Sequence, residues 1–146
     1  MSARILEGNK IRDEVLNDLR KDIAELKQAG ITPGLAAVLV GHDPASEIYV
    51  RTKVKTCESL GLHSEKIEPP STSTTEELLE LVHKLNSHDD IDGILIQLPL
   101  PSQIDSKKVL EAVDPAKDVD GFHPVNIGYL VSGRPGLVPC TPAGVI

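Results

Sequence analysis

The chain holds 146 residues, about one domain's worth and enough to bury roughly two-thirds of its unfolded surface. Apolar residues make up 40% and charged residues 25%, with 15 Lys and Arg against 22 Asp and Glu for a formal charge of −7. This balance argues against the basic face of a nucleic-acid binder and the polybasic patch of a membrane-surface protein, and one Phe, two Tyr and no Trp leave little to stack on single-stranded bases.

The opening MSARILEGNK is charged almost at once and offers no apolar run for a signal peptide. No stretch approaches 18 apolar residues, so no membrane span is expected and the default is a soluble, cytoplasmic protein. Ile11, Val15, Leu16, Leu19, Ile23 and Leu26 recur at three- and four-residue steps, the period of an amphipathic helix, and Gly30 supplies its stop. LAAVLV, Leu35 to Val40, is a short apolar run between Pro33-Gly34 and Gly41 and reads as a strand buried on both faces. After the loop GHDPA, Ser46 is a natural N-cap for a helix running to about Leu60, with Gly61 past its end. Ser64 to Ile67 suits a second strand. Thr74 and Glu77 form a capping box before a helix carrying Leu78, Leu81, Val82 and Leu85. GILIQ, Gly93 to Gln97, is a third buried strand, and Asp105 caps a short helix with Val109, Leu110 and Val113 inward. Beyond Asp114 the chain turns Gly- and Pro-rich, with no long periodic element before Ile146.

Helix and strand thus alternate as α-β-α-β-α-β-α. The expected fold is α/β: an open, mainly parallel sheet with helices on both faces, three layers in a single domain. Ligands in this architecture sit beyond the carboxyl ends of the strands. That directs attention to the loop after Val40 and the segment after Ile96.

Three places carry polar groups suited to chemistry. On the helix after the first strand, Val50, Val54 and Cys57 share a core stripe, while Tyr49 and Lys53, spaced i and i+4, share its neighbour. A phenol beside an ammonium is either a general acid/base pair or a surface tyrosine covered by a lysine stem. Gln97 is the first polar residue after a buried strand and precedes Pro99 and Pro101. It either faces the crevice or satisfies loop backbone. In DPAKDVDGFHPVNIG, Asp118, Asp120 and His123 are either a turn bonded to its own amides or metal ligands. An EF-hand does not fit, because counting from Asp118 puts Tyr129 where the twelfth-position acid belongs. Neither G-x-x-x-x-G-K-[ST] nor G-x-G-x-x-G occurs. Cys57 and Cys140 have no metal or disulfide spacing and are expected to be reduced thiols.

Taken in order, VGHDPASEIYVRTKVKTCESLGL, GILIQLPLP, KDVDGFHPVNIG and PCTPAG closely resemble the bifunctional methylenetetrahydrofolate dehydrogenase/cyclohydrolase family of the bacterial FolD type. The resemblance runs from about Ile5 to Ile146. It implies that residues 1–146 form the catalytic domain of a two-domain enzyme whose folate site lies in the interdomain cleft. The family's second, NADP-binding Rossmann domain has no counterpart here, so NADP would be a cofactor of the full-length enzyme and not of this chain, and no metal is implied. The implied activities are oxidation of 5,10-methylenetetrahydrofolate with NADP and hydrolysis of the methenyl product to 10-formyltetrahydrofolate. By resemblance Lys53 is the catalytic lysine, Tyr49 the active-site tyrosine, Gln97 its supporting glutamine and Asp120 the pterin-binding aspartate, with Leu98 and Pro99 beside the substrate. The implied partners are tetrahydrofolate derivatives, with no nucleic acid or membrane. The family is homodimeric, and a chain of this length is expected to be monomeric. The alternatives are a folate-binding fragment without turnover and an unrelated metal-dependent hydrolase.

Overall fold

The computed structural model describes residues 5, 7–134 and 136–143, so Gly144 of PCTPAG and the extreme ends of the 1–146 domain lie outside the described residues. The elements run α1 (Gly8–Gln28), β1 (Gly34–Val38), α2 (Pro44–Leu60), β2 (His63–Ile67), α3 (Thr75–Asn86), β3 (Gly93–Ile96), α4 (Ser106–Ala112), α5 (Pro124–Val131) and α6 (Cys140–Ala143). The three strands are parallel in the order β2-β1-β3. Gly34 pairs with His63 and Val38 with Ile67 on one side of β1, and Leu35 with Gly93 and Val38 with Ile96 on the other.

Strand periodicity explains the layers. Alternate residues of β1 and its continuation point to opposite faces. Ala36, Val38 and Val40 join Ile94 and Ile96 against Leu78, Val82 and Leu85 of α3, Val109 of α4 and Val113 just past its end. Ala37, Leu39 and Leu95 face the other way, against Val50 of α2, with Val54 and Val119 at the margin. Helices therefore cover both faces, as the alternation of elements predicts. A residue pair beyond the named strands extends the sheet. Asp118 makes a parallel bridge to Ile94, and the Ile94 N–H donates to the Lys117 carbonyl at 2.7 Å. Gly93 allows this close approach, since a Cβ there would stand 2.6 Å from Val119 Cγ1.

The helix ends follow their capping chemistry with one correction. Thr74 and Glu77 form the reciprocal capping box, Asp105 caps α4, and Gly61 closes α2 with φ of 76°. Ser46 is not the N-cap of α2. Asp43 takes that place, its carboxylate accepting from the Ser46 N–H at 2.8 Å, because Pro44 sits at the first helical turn, where its missing N–H is harmless. Ser46 is buried within the first turn.

Two further differences concern the ends of the chain. The apolar period of α1 is present, yet of its residues only Ile23 is buried, while Ile11, Val15, Leu19 and Leu26 remain exposed. The second half of α1 lies along α2 across a hollow of about 520 Å³, and nothing among the described residues covers its remaining face. After Asp114, Pro124 starts the eight-residue α5, capped by the His123 ring, which the Gly- and Pro-rich composition hid.

Candidate active site

Tyr49 and Lys53 lie on successive turns of α2, whose buried stripe of Val50 fixes the helix on the sheet. They form one wall of a cavity of about 400 Å³. Leu95 of β3 and Val119 supply its apolar floor, and Asp120, Phe122, Pro139 and Cys140 complete its lining. The structure thus brings a phenol, an ammonium and a carboxylate around one hollow. Tyr49 is 65% exposed and Phe122 39% exposed, so two of the lining side chains reach solvent. A second hollow, between α1 and α2, is larger but almost wholly aliphatic, with Asp22 and the Lys53 side chain its charged groups.

Gln97, Leu98 and Pro99 do not line the cavity. The Gln97 N–H donates to the Val38 carbonyl at 2.9 Å, and its side-chain amide turns back to donate to the Leu98 carbonyl at 2.8 Å. Leu98 is half-buried and Pro99 exposed, joined by a cis peptide bond. The cavity accordingly sits on the α2 face of the sheet. The loop after Val40 contributes no lining residue.

Burial pushes the Asp120 carboxyl above its ordinary value, the Lys53 charge partly opposes this, and the Asp118 charge adds to it. The turn carrying Asp120 closes with the Gly121 N–H donating to the Asp118 carbonyl at 3.2 Å. Gly121 has φ of 66°, and a Cβ there would lie 2.9 Å from both the Leu137 carbonyl oxygen and the Pro139 nitrogen. Gly121→Ala therefore meets strain and backbone at once. It should cost about 1–2 kcal/mol, lowering Tm by roughly 3–8 °C, and push back the segment that carries Pro139 and Cys140. An unchanged melting curve would show that this segment yields freely.

Asp118, Asp120 and His123 do not gather as metal ligands. The His123 ring accepts from the Val125 N–H at 3.1 Å through Nδ1 and donates to the Glu111 carbonyl at 3.2 Å through Nε2, so both nitrogens serve the backbone. Among the described residues no three His, Cys, Asp or Glu side chains form a metal cluster. The helices that follow β1, β2 and β3 carry their own caps at the N-terminus (Asp43, Thr74 with Glu77, and Asp105), which place oxygen acceptors where phosphate would need free amides. Cys57 is a half-buried free thiol pushed up by burial, and Cys140 is an exposed free thiol. No helix among the described residues is long and apolar enough to cross a membrane.

Residues 6–120 match the model of the tetrahydrofolate dehydrogenase/cyclohydrolase catalytic domain. The chain belongs to that family. A protein named bifunctional protein FolD from Koribacter versatilis is 65% identical over 144 residues, covering 99% of this chain and 47% of its own length. Among solved structures, the FolD methylenetetrahydrofolate dehydrogenase/cyclohydrolase of Campylobacter jejuni superposes with a TM-score of 0.95 at 43% identity, over 99% of this chain and 51% of that one. The Trypanosoma brucei enzyme, solved with NADP cofactor and an inhibitor, gives 0.94 at 33% identity over 99% and 50%. The chain thus spans about half the length of the relatives it matches.

Of the two alternatives for Asp118, the structure shows the turn: its carboxylate accepts from the His123 N–H at 2.8 Å. Asn126, buried beside it, escapes sequence reasoning, its only trace being an amide inside a Gly- and Pro-rich stretch.

Proposed function

We propose that this chain carries the folate site at which 5,10-methenyltetrahydrofolate is hydrolysed to 10-formyltetrahydrofolate. In a longer polypeptide, the same site would serve the preceding oxidation of 5,10-methylenetetrahydrofolate with NADP. The observation that carries this reading is the single cavity joining Tyr49, Lys53 and Asp120 above an apolar floor. Its volume lies in the range of small-molecule sites. Relatives named for these reactions match nearly the whole chain.

The chemistry follows from the substrate. The methenyl carbon bridges N5 and N10 of the folate as a cationic amidinium, so it attracts water but repels a cation. Lys53 acts in its amine form, taking a proton from water as the oxygen attacks the bridge carbon. The C–N5 bond then breaks as N5 takes a proton back from the Lys53 ammonium and the new hydroxyl gives its proton to solvent, leaving the formyl group on N10. Gln97 orients the Lys53 amine through its side-chain carbonyl, which the donor bond from its Nε2 to the Leu98 carbonyl leaves unengaged. Tyr49 stacks on the folate and shares a proton with Lys53. Asp120 accepts two hydrogen bonds from the pterin's ring N–H and amino group. Leu98 and Pro99 border the ligand at the mouth. This reading includes a cytoplasmic location and a supply of one-carbon units to purine synthesis. It also includes homodimerisation of the full-length enzyme and a monomeric state for a chain of this length.

A second reading is folate binding without turnover. The Gln97 side chain favours it, since the group that would orient the Lys53 amine bonds the Leu98 carbonyl and stands outside the cavity lining. Tetrahydrofolate titration by calorimetry, beside a methenyltetrahydrofolate hydrolysis assay on the same preparation, separates the two. Binding with hydrolysis above the buffer rate supports the first reading, binding alone the second, and no binding overturns both. A companion titration with NADP should give no affinity better than about millimolar, because the helices that follow the three strands each carry a capping oxygen at the N-terminus, where phosphate would bind. Micromolar NADP binding would show that another part of this chain holds the dinucleotide.

A further inference from the structure

The segment from Asp114 to Asn126 is anchored at several points that have no part in the chemistry above. Asn86 grips its start, accepting from the Asp114 N–H at 2.9 Å and donating to the Ala112 carbonyl at 2.8 Å. Lys117 Nζ donates to the Asn86 and His88 carbonyls at 2.8 and 3.0 Å, where the end of α3 presents unpaired carbonyls. Asp118 then stands 5% exposed, its Oδ2 accepting from the His123 N–H at 2.8 Å and from Asn126 Nδ2 at 2.9 Å. The same Asn126 nitrogen donates to the Pro115 carbonyl at 2.9 Å. Asn126 itself is 4% exposed.

A buried carboxylate held by neutral donors, with no ion pair among the described residues, is an expensive way to close a turn. A neutral acceptor would tie the same two donors at a lower desolvation cost. Its placement is informative. The bond from Asp118 to the His123 N–H spans the turn that contains Asp120, and the bond to Asn126 ties that turn to the first helical turns of α5. Asp118 also extends the sheet beside Ile94, so the latch fixes Asp120 relative to β3, which supplies the cavity floor.

We propose that Asp118 is a positioning residue for folate recognition, acting through Asp120: with Asn126 and the His123 N–H it locks the intervening turn so that the Asp120 carboxylate faces the cavity opposite Lys53. This inference rests on the folate reading of the cavity. It assigns Asp118 no contact with the ligand.

The test is a double-substitution cycle in this chain, read by calorimetric titration with tetrahydrofolate. Asp118→Ala should weaken binding about 10-fold, the scale of one charge-assisted hydrogen bond. Asp118→Asn keeps an acceptor for both donors and should stay within about threefold of the unaltered chain. In the Asp118→Ala/Asp120→Ala double variant the two losses should not add, because Asp118 has nothing left to position. Asn126→Ala removes one donor only and should weaken binding in the same direction. It supplies the readout if Asp118→Ala fails to fold. Fully additive losses would overturn the inference, since Asp118 would then act on the fold at large. So would unchanged affinity in Asp118→Ala, or in Asn126→Ala where that variant stands in, while Asp120→Ala binds weakly. Unchanged affinity in Asp120→Ala would remove Asp120 from pterin binding and overturn this inference with it, whereas the folate reading fails only if the unaltered chain binds no tetrahydrofolate.

Discussion

Lys53→Met is expected to lower methenyltetrahydrofolate hydrolysis by about two to four orders of magnitude, the range for loss of a general base. Methionine keeps an unbranched stem of similar reach and a high helix propensity while removing the amine. The fold should tolerate the change. Position 53 is half-buried and lies beside, not on, the stripe whose buried member is Val50. Tetrahydrofolate affinity should fall far less than turnover, since the amine acts on water and not on the pterin edge. Three readings on one purified variant separate the roles: melting temperature, affinity and hydrolysis rate. A parallel loss of affinity and rate would make Lys53 a binding residue. Near-original hydrolysis would remove it from the mechanism.

What the sequence reveals depends on how local the cause is. The capping box at Thr74 and Glu77, the Asp105 cap and the Gly61 stop are legible because each is settled within one helical turn. The two-sided burial of β1 is legible because an unbroken apolar run has no polar face to expose. The Ser46 expectation fails by a small margin. Two capping residues lie three positions apart, and Pro44 decides between them by occupying the first helical turn. The exposed face of α1 could not be read from its period, which shows that a helix has an apolar side but not what covers it. Asp118 and Asn126 are harder still, because their burial comes from long-range docking of residues 114–126 onto the end of α3 and the edge of β3. Tyr49 and Lys53 were visible as a pair on one helix, but only the fold sets Asp120 opposite them. Gln97 shows the converse. Its place at the end of β3 is as expected, while its amide bonds the adjacent Leu98 carbonyl, a choice of rotamer that strand pattern does not encode.

Asp120→Ala should weaken tetrahydrofolate binding by about 1.5–3 kcal/mol, the scale for hydrogen bonds to a charged group, which is roughly 10- to 150-fold. The pH dependence distinguishes this from a general loosening of the site. Binding through two accepted hydrogen bonds requires the carboxylate, so affinity should fall as pH drops through the Asp120 pKa. Burial is the main cause that raises that pKa above its ordinary 3.8 in the folded chain, so the loss should begin at a higher pH than for an exposed aspartate. Stability without ligand runs the other way. The folded chain holds the Asp120 proton more tightly than the unfolded chain does, so stability decreases as pH rises through the window between the ordinary and the raised value. Above that window the carboxylate is charged and partly desolvated, and the fold carries the cost. Asp120→Asn removes the charge while keeping the shape. It should therefore melt at or above the original temperature near neutral pH, by up to about 3 °C, roughly what 1 kcal/mol is worth in a domain of this size. The same variant should bind folate poorly, because an amide oxygen replaces only half of the acceptor pair and its nitrogen confronts pterin donors. A gain in stability beside a loss of affinity is the signature of a residue held in place for its ligand. Retained affinity and an unchanged pH profile in Asp120→Asn would instead return Asp120 to the role of a turn former.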